Sequence, residues 1–135
     1  MKITSSFIVV AAFVVAGCAP MTAREIREQS APKSFSVGQD YQAAYRSLLE
    51  EMRRCFQFGS IGSTWLVQGD LHQDLKKGVI EVTVLSGITT TLLVVDVLDA
   101  GSGTARIDVM DKPGQSSSFA RVRGFAESGT PMCRR

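Results

Sequence analysis

The sequence predicts an α+β domain in two layers: a helix, a four-stranded antiparallel sheet and a second helix, with both helices on one sheet face. Three observations predict it. An apolar stripe at helical spacing runs through Tyr41, Tyr45, Leu48, Met52 and Cys55. Four strand-like segments follow, with no helical period between them. A shorter helical stripe, Phe119, Val122 and Ala126, lies near the C-terminal end.

The first helix is expected over residues 37–56. Ser36 and Gln39 have the spacing of a capping box, and Asp40 suits the positive end of the helix dipole. Glu50 and Arg54 form a favourable i,i+4 pair, and Gly59 and Gly62 break the pattern. Residues 64–75 then alternate, with Trp65, Val67, Leu71 and Leu75 on one side. Residues 79–85 are dense in β-branched side chains. Ser86-Gly87 marks a turn, and residues 90–98 form the most apolar strand, expected at the centre. A loop from Asp99 to Gly103 leads to a fourth strand over 104–110. Short connections favour an antiparallel meander, because parallel strands need long crossovers. The second helix is expected over residues 116–127, weakened at Gly124. Each helix has one apolar stripe to bury, which places both on the same sheet face.

Ahead of this domain lies a different kind of segment. Lys2 supplies a positive start, Phe7 through Val15 an uncharged apolar run, and Ala16 and Gly17 the small residues of a cleavage site before Cys18. The run is shorter than the roughly 20 residues of a membrane-spanning helix. Val15-Ala16-Gly17-Cys18 resembles the lipobox of a bacterial lipoprotein. That resemblance implies a signal peptide over residues 1–17, diacylglycerol on the Cys18 thiol, cleavage before it and N-acylation, typically by palmitate. Several acyl chains make a durable anchor where one would be marginal. Ala19, where Asp would favour the inner membrane, implies the outer membrane. Residues 18–35, with Pro20 and Pro32 and no sustained apolar face, are expected to be a flexible tether. A short helical patch is expected around residues 24–28. A coil of this length spans on the order of 20–25 Å. The globular domain is then residues 36–135.

Composition narrows the function classes. Loss of residues 1–17 leaves 118 of 135 residues, with fourteen Lys and Arg against thirteen Asp and Glu. That is one domain's worth of chain, without the basic surplus of a nucleic-acid binder. Cys55 and Cys133 remain after lipidation. In an oxidising periplasm a lone pair is most simply a structural disulfide. A redox-active pair usually has C-x-x-C spacing, which is missing here.

The chain also resembles the small, mostly uncharacterised lipoproteins of Gram-negative bacteria. The resemblance rests on the lipobox, the segment 41–55 ending in a cysteine, and the tail 119–133 ending in another. The order of elements is similar to helix-grip-like domains of outer-membrane assembly lipoproteins, a likeness of topology that carries no role with it.

Chemistry-bearing residues are few. Asp70, His72 and Asp74 fall on one side of a strand at a two-residue period. One nitrogen and two carboxylates are a thin metal set, and an exposed polar face explains them more simply. No nucleophile motif such as G-x-S-x-G occurs. Asp96, inside the most apolar strand, would need a partner such as Arg106 or Arg121 if buried. Gly101-Ser102-Gly103 lacks the lysine and helix of a phosphate loop and reads as a hairpin. The expectation is a non-enzymatic envelope lipoprotein without metal or cofactor. It would be held to the membrane through Cys18, contact an envelope protein and bind no nucleic acid. The alternative is a module carrying a small apolar or lipid ligand, in a cavity lined by Tyr45, Met52, Trp65 and Phe119.

Overall fold

The computed structural model describes residues 20–128 and Cys133. In chain order the elements are α1 (Ala23–Gln29), β1 (Lys33–Val37), α2 (Tyr41–Phe56), β2 (Phe58–Ser60), β3 (Ser63–His72), β4 (Lys77–Ser86), β5 (Ile88–Gly101), β6 (Thr104–Asp111) and α3 (Phe119–Ser128). The strands form one antiparallel sheet in the order β1-β6-β5-β4-β3-β2. The fold is α+β, but among the described residues the sheet has six strands where four were expected, and the short helical patch expected at 24–28 is a third helix, α1, docked on the sheet rather than part of a flexible tether.

The extra elements come largely from the stretch expected to be a tether. Phe35 and Val37 alternate onto the core face, so residues 33–37 add to the edge of β6 over five rungs, from Lys33↔Val109 to Val37↔Ala105. That strand consumes Ser36 and Val37, and the helix expected from residue 37 begins at Tyr41 instead. Its N-cap is Asp40, whose Oδ1 accepts from the backbone N–H groups of Gln42 (3.0 Å) and Ala43 (3.1 Å). Before β1, Thr22 and Glu25 form a reciprocal capping box for α1. The backbone N–H of Thr22 donates to Glu25 Oε2 at 2.7 Å, which holds that carboxyl below the usual glutamate range.

The helices occupy both faces of the sheet, correcting the two-layer expectation. Tyr45, Leu48 and Met52 of α2, with Val122 and Phe125 of α3, pack on the face carrying Ile80, Val82, Val95, Val97, Ile107 and Val109. Ile26 of α1 is fully buried on the opposite face against Val94 and Met110. A seven-residue helix with one core side chain has little stability of its own, so docking on the sheet holds the patch that the sequence placed in a tether.

Asp96 secures that second face. Its side chain is only 10% exposed and accepts from Arg27 Nη2 at 2.8 Å and Lys77 Nζ at 2.9 Å. The partners are therefore in α1 and β4. Arg106 instead meets Asp108, at 2.8 Å. Because Arg27 and Lys77 both stay part-exposed, the pairing is stronger than a surface bridge but short of a fully desolvated one. Asp96→Ala is expected to cost about 2 kcal/mol in urea unfolding and to speed amide exchange at Ile26 more than at Ile107.

Candidate functional site

A cleft opens where the C-terminal end of α2, the loop before α3, β3 and the first half of β5 converge. Its volume is about 760 Å³, within the range of small-molecule sites. Three local features shape it. The first is a β-bulge: Val82 pairs with Leu93 while Thr83 pairs with Thr91, leaving Leu92 as the extra residue. Consecutive leucines, Leu92 and Leu93, therefore both line the cleft. Opposite them, β2 folds back on β3, so that Phe58 stacks on Trp65 with centroids 5.2 Å apart and rings 19° from parallel.

The third feature is the 115–118 loop, which Asp111 holds in place. Its Oδ1 accepts from the backbone N–H of Ser118 at 2.9 Å, and Lys33 Nζ donates to Ser117 Oγ at 2.9 Å. This sets the first turn of α3 and aims Arg121 at the cleft. The Arg121 guanidinium lies 5.2 Å from the centroid of Phe56, whose ring also meets Phe125 edge-on at 6.1 Å. Arg54 stands on the α2 side, paired with Glu50 and Glu51. Among the described residues lining the cleft the charged groups are Arg54 and Arg121. An aromatic stack, two leucines and the Arg121 guanidinium suit an amphipathic, anionic group rather than a cation, the Arg54 charge being already met by Glu50 and Glu51.

Cys55 and Cys133 form one wall of this cleft, bonded as a disulfide with Cα atoms 5.1 Å apart and a sequence separation of 78. The pairing read from the two cysteines is the one observed. The lipobox residues Val15, Ala16, Gly17 and Cys18 lie outside the described residues.

Other expected positions fall away from the cleft. Asp70 and His72 lie exposed on β3, and Asp74 sits past its end in the turn to β4. No group of three or more His, Cys, Asp or Glu with metal-binding proximity occurs among the described residues. Gly101-Ser102-Gly103 is the β5–β6 hairpin, with φ of +83°, +53° and +68°. Of the four side chains named for a ligand cavity, only Trp65 lines the cleft. Tyr45 and Met52 are in the closed core, and Phe119 meets Phe35 edge-on at 5.6 Å.

Arg121, considered as a partner for Asp96, stands instead on the other face of the sheet. Sequence reasoning missed Leu92, Phe58 and the 115–118 loop as site residues. Phe58 and Trp65, flanking a Gly-containing turn, were the one signal that could have found part of it. No protein-family model, curated protein or solved structure matches the chain.

Proposed function

We propose that the protein is a lipid-anchored cell-envelope lipoprotein of the outer membrane, with its domain in the periplasm, acting as a non-enzymatic interaction module for another envelope protein. The observation that carries the reading is the Cys55–Cys133 disulfide on a chain that opens with the order of an export signal. Structural disulfides belong to oxidising compartments, so the bond and the signal point to the same address by separate routes. The lipobox then supplies the anchor at Cys18, and Ala19 the outer-membrane preference. Cys18→Ser is expected to move the protein from the membrane pellet to the soluble fraction, with loss of palmitate labelling. Persistence in the pellet with unchanged labelling overturns the anchor. In-cell crosslinking reads the partner: a discrete adduct that disappears with Cys18→Ser supports the module, and its absence from membrane-bound protein counts against it.

A second reading, carriage of a small apolar or lipid ligand, is favoured by the cleft beside Trp65 and Leu92. Organic extraction of protein purified from membranes, followed by mass spectrometry, tests it. A stoichiometric amphiphile lost in a Leu92→Arg variant supports carriage, and an empty extract removes it.

A further inference from the structure

The two ends of the sheet differ in kind. At one end, the β3–β4 turn and the strand ends beside it and beside the β5–β6 hairpin carry Asp70, His72, Asp74, Lys76 and Asp99. At the other, residues 58–69 and 82–95 contain no Asp, Glu, Lys or Arg, although charged residues make up 21% of the chain. The same end gathers exposed apolar side chains. Ile61 in the β2–β3 turn is fully exposed (107%), Ile88 beside the β4–β5 turn is 61% exposed, and Phe58 and Leu85 flank them at 49% and 38%. The remaining large exposed apolar side chain among the described residues is Leu75, at the charged end.

This uncharged end projects. β6 stops at Asp111, opposite Leu93, while β5 continues to Ile88, about 17 Å further at strand rise. The N-terminal segment joins the sheet on that projection: the Thr91 N–H donates to the Met21 carbonyl at 2.7 Å. Thr91 is three residues from Ile88, about 10 Å. Cys18 is three residues from Met21 along the chain, so it lies no more than about 10 Å from it. The charged hairpin at Gly101 is ten residues from Thr91 along β5, about 33 Å away. An acyl anchor on Cys18 therefore brings the bilayer to the uncharged end and leaves the charged end out of reach.

We infer that the β2–β3 and β4–β5 turns, through Ile61, Leu85 and Ile88, insert into the interfacial layer of the bilayer that holds the Cys18 acyl chains. The domain then stands on the membrane rather than swinging from a tether. This rests on the lipid-anchor reading above. Insertion desolvates no charge, and it stops at headgroup depth because the backbone groups of the turns at Gly62 and Gly87 still need polar partners. It also puts the cleft, with Arg54 and Arg121, at the membrane-facing end.

The test uses acylated full-length protein in vesicles of phosphatidylethanolamine and phosphatidylglycerol with brominated acyl chains, which quench nearby tryptophan. Trp65 is the single tryptophan. In a Trp65→Phe background, Ile88→Trp is expected to lose about half its emission or more, and Leu75→Trp less than about a tenth. The unsubstituted protein gives a reading free of folding doubt: Trp65, level with Thr90 and two residues behind Ile88, is quenched to an intermediate degree. Equal quenching at the two ends, or none at Ile88→Trp and Trp65 in protein that floats with the vesicles, overturns the insertion and leaves the anchor standing. Protein that fails to float overturns both.

Discussion

Removing the Cys55–Cys133 bond is expected to destabilise the domain by about 4 kcal/mol. The bond closes a 78-residue separation, and the chain-entropy model gives a loop of that size a little over 4 kcal/mol. It ties the chain following α3 to the end of α2, across the part of the molecule where the cleft leaves the core least continuous. Cys55 packs against the core while Phe56, next to it, holds both Arg121 and Phe125. Releasing the tail therefore loosens the α2–α3 contact as well as enlarging the unfolded ensemble. With a urea m-value on the order of 1.5 kcal/mol/M, the midpoint should fall by about 2–3 M on reduction, and by a similar amount in Cys55→Ser/Cys133→Ser without reductant. A midpoint shift under about 0.5 M would show that α3 is held by its own packing alone. The cleft gives a second readout: Trp65 emission should shift to the red on reduction before global unfolding.

Sequence patterning reaches the middle of this fold better than its margins. β4 was legible because it buries alternate side chains over a long run, and β5 and β6 because their apolar runs, buried on successive residues, place them inside the sheet. Other elements were not legible, for physical reasons that differ. β2 has three residues and no buried side chain, so its only signature is pairing with β3. β1 shares residues with what looks like the approach to a helix, and the edge of β6 decides the contest. α1 was readable as a short helical patch but not as part of the domain, because one docked isoleucine and an ion pair 69 residues distant in sequence hold it, and neither leaves a local period.

The candidate site follows the same division. Cys55 and Cys133 were readable from compartment and count. The cleft depends on a bulge at Leu92 and on Asp111 fixing a serine loop, both consequences of register. Asp96 is an intermediate case. Its need for a cation followed from its place in an apolar strand, but Arg27 lay in a stretch whose composition argued for a tether.

Tyr45→Ala is expected to cost about 4 kcal/mol, and Gly78→Ala about 2–3 kcal/mol, yet the two losses should not add. Tyr45 is 5% exposed and lies on the sheet where Gly69 and Gly78 face it from β3 and β4. Gly69 pairs with Ile80 and Gly78 with Leu71, so the two glycines sit two rungs apart and leave a dent the ring fills. A Cβ on Gly69 would stand 2.5 Å from Tyr45 Oη, and one on Gly78 would overlap the ring itself. The ring is boxed between helix and strand, and overlap of that size moves α2 bodily.

With the ring removed, the same methyl group loses its overlap and keeps only a tight contact, 3.1 Å, with the residue-45 Cβ, which a small shift relieves. A glycine inside a strand is also entropically unfavourable, so Gly78→Ala in the Tyr45→Ala background should be neutral or stabilising by about 0.5 kcal/mol. The double-mutant coupling is then about 2–3 kcal/mol, measured by chemical denaturation of the four variants. Simple additivity would mean that α2 rests on the sheet elsewhere. Burial also raises the Tyr45 phenol above its ordinary value of 10.0, reinforced by Asp70 and opposed by Arg53. A raised folded-state value contributes stability that is whole below pH 10.0 and is lost as pH rises through the folded value. Tyr45→Phe should flatten that alkaline loss while keeping the ring, which separates the hydroxyl's part from the packing. Because α2 carries Arg54, Cys55 and Phe56 to the cleft, the fit of one ring over two glycines also sets where the cleft's wall stands.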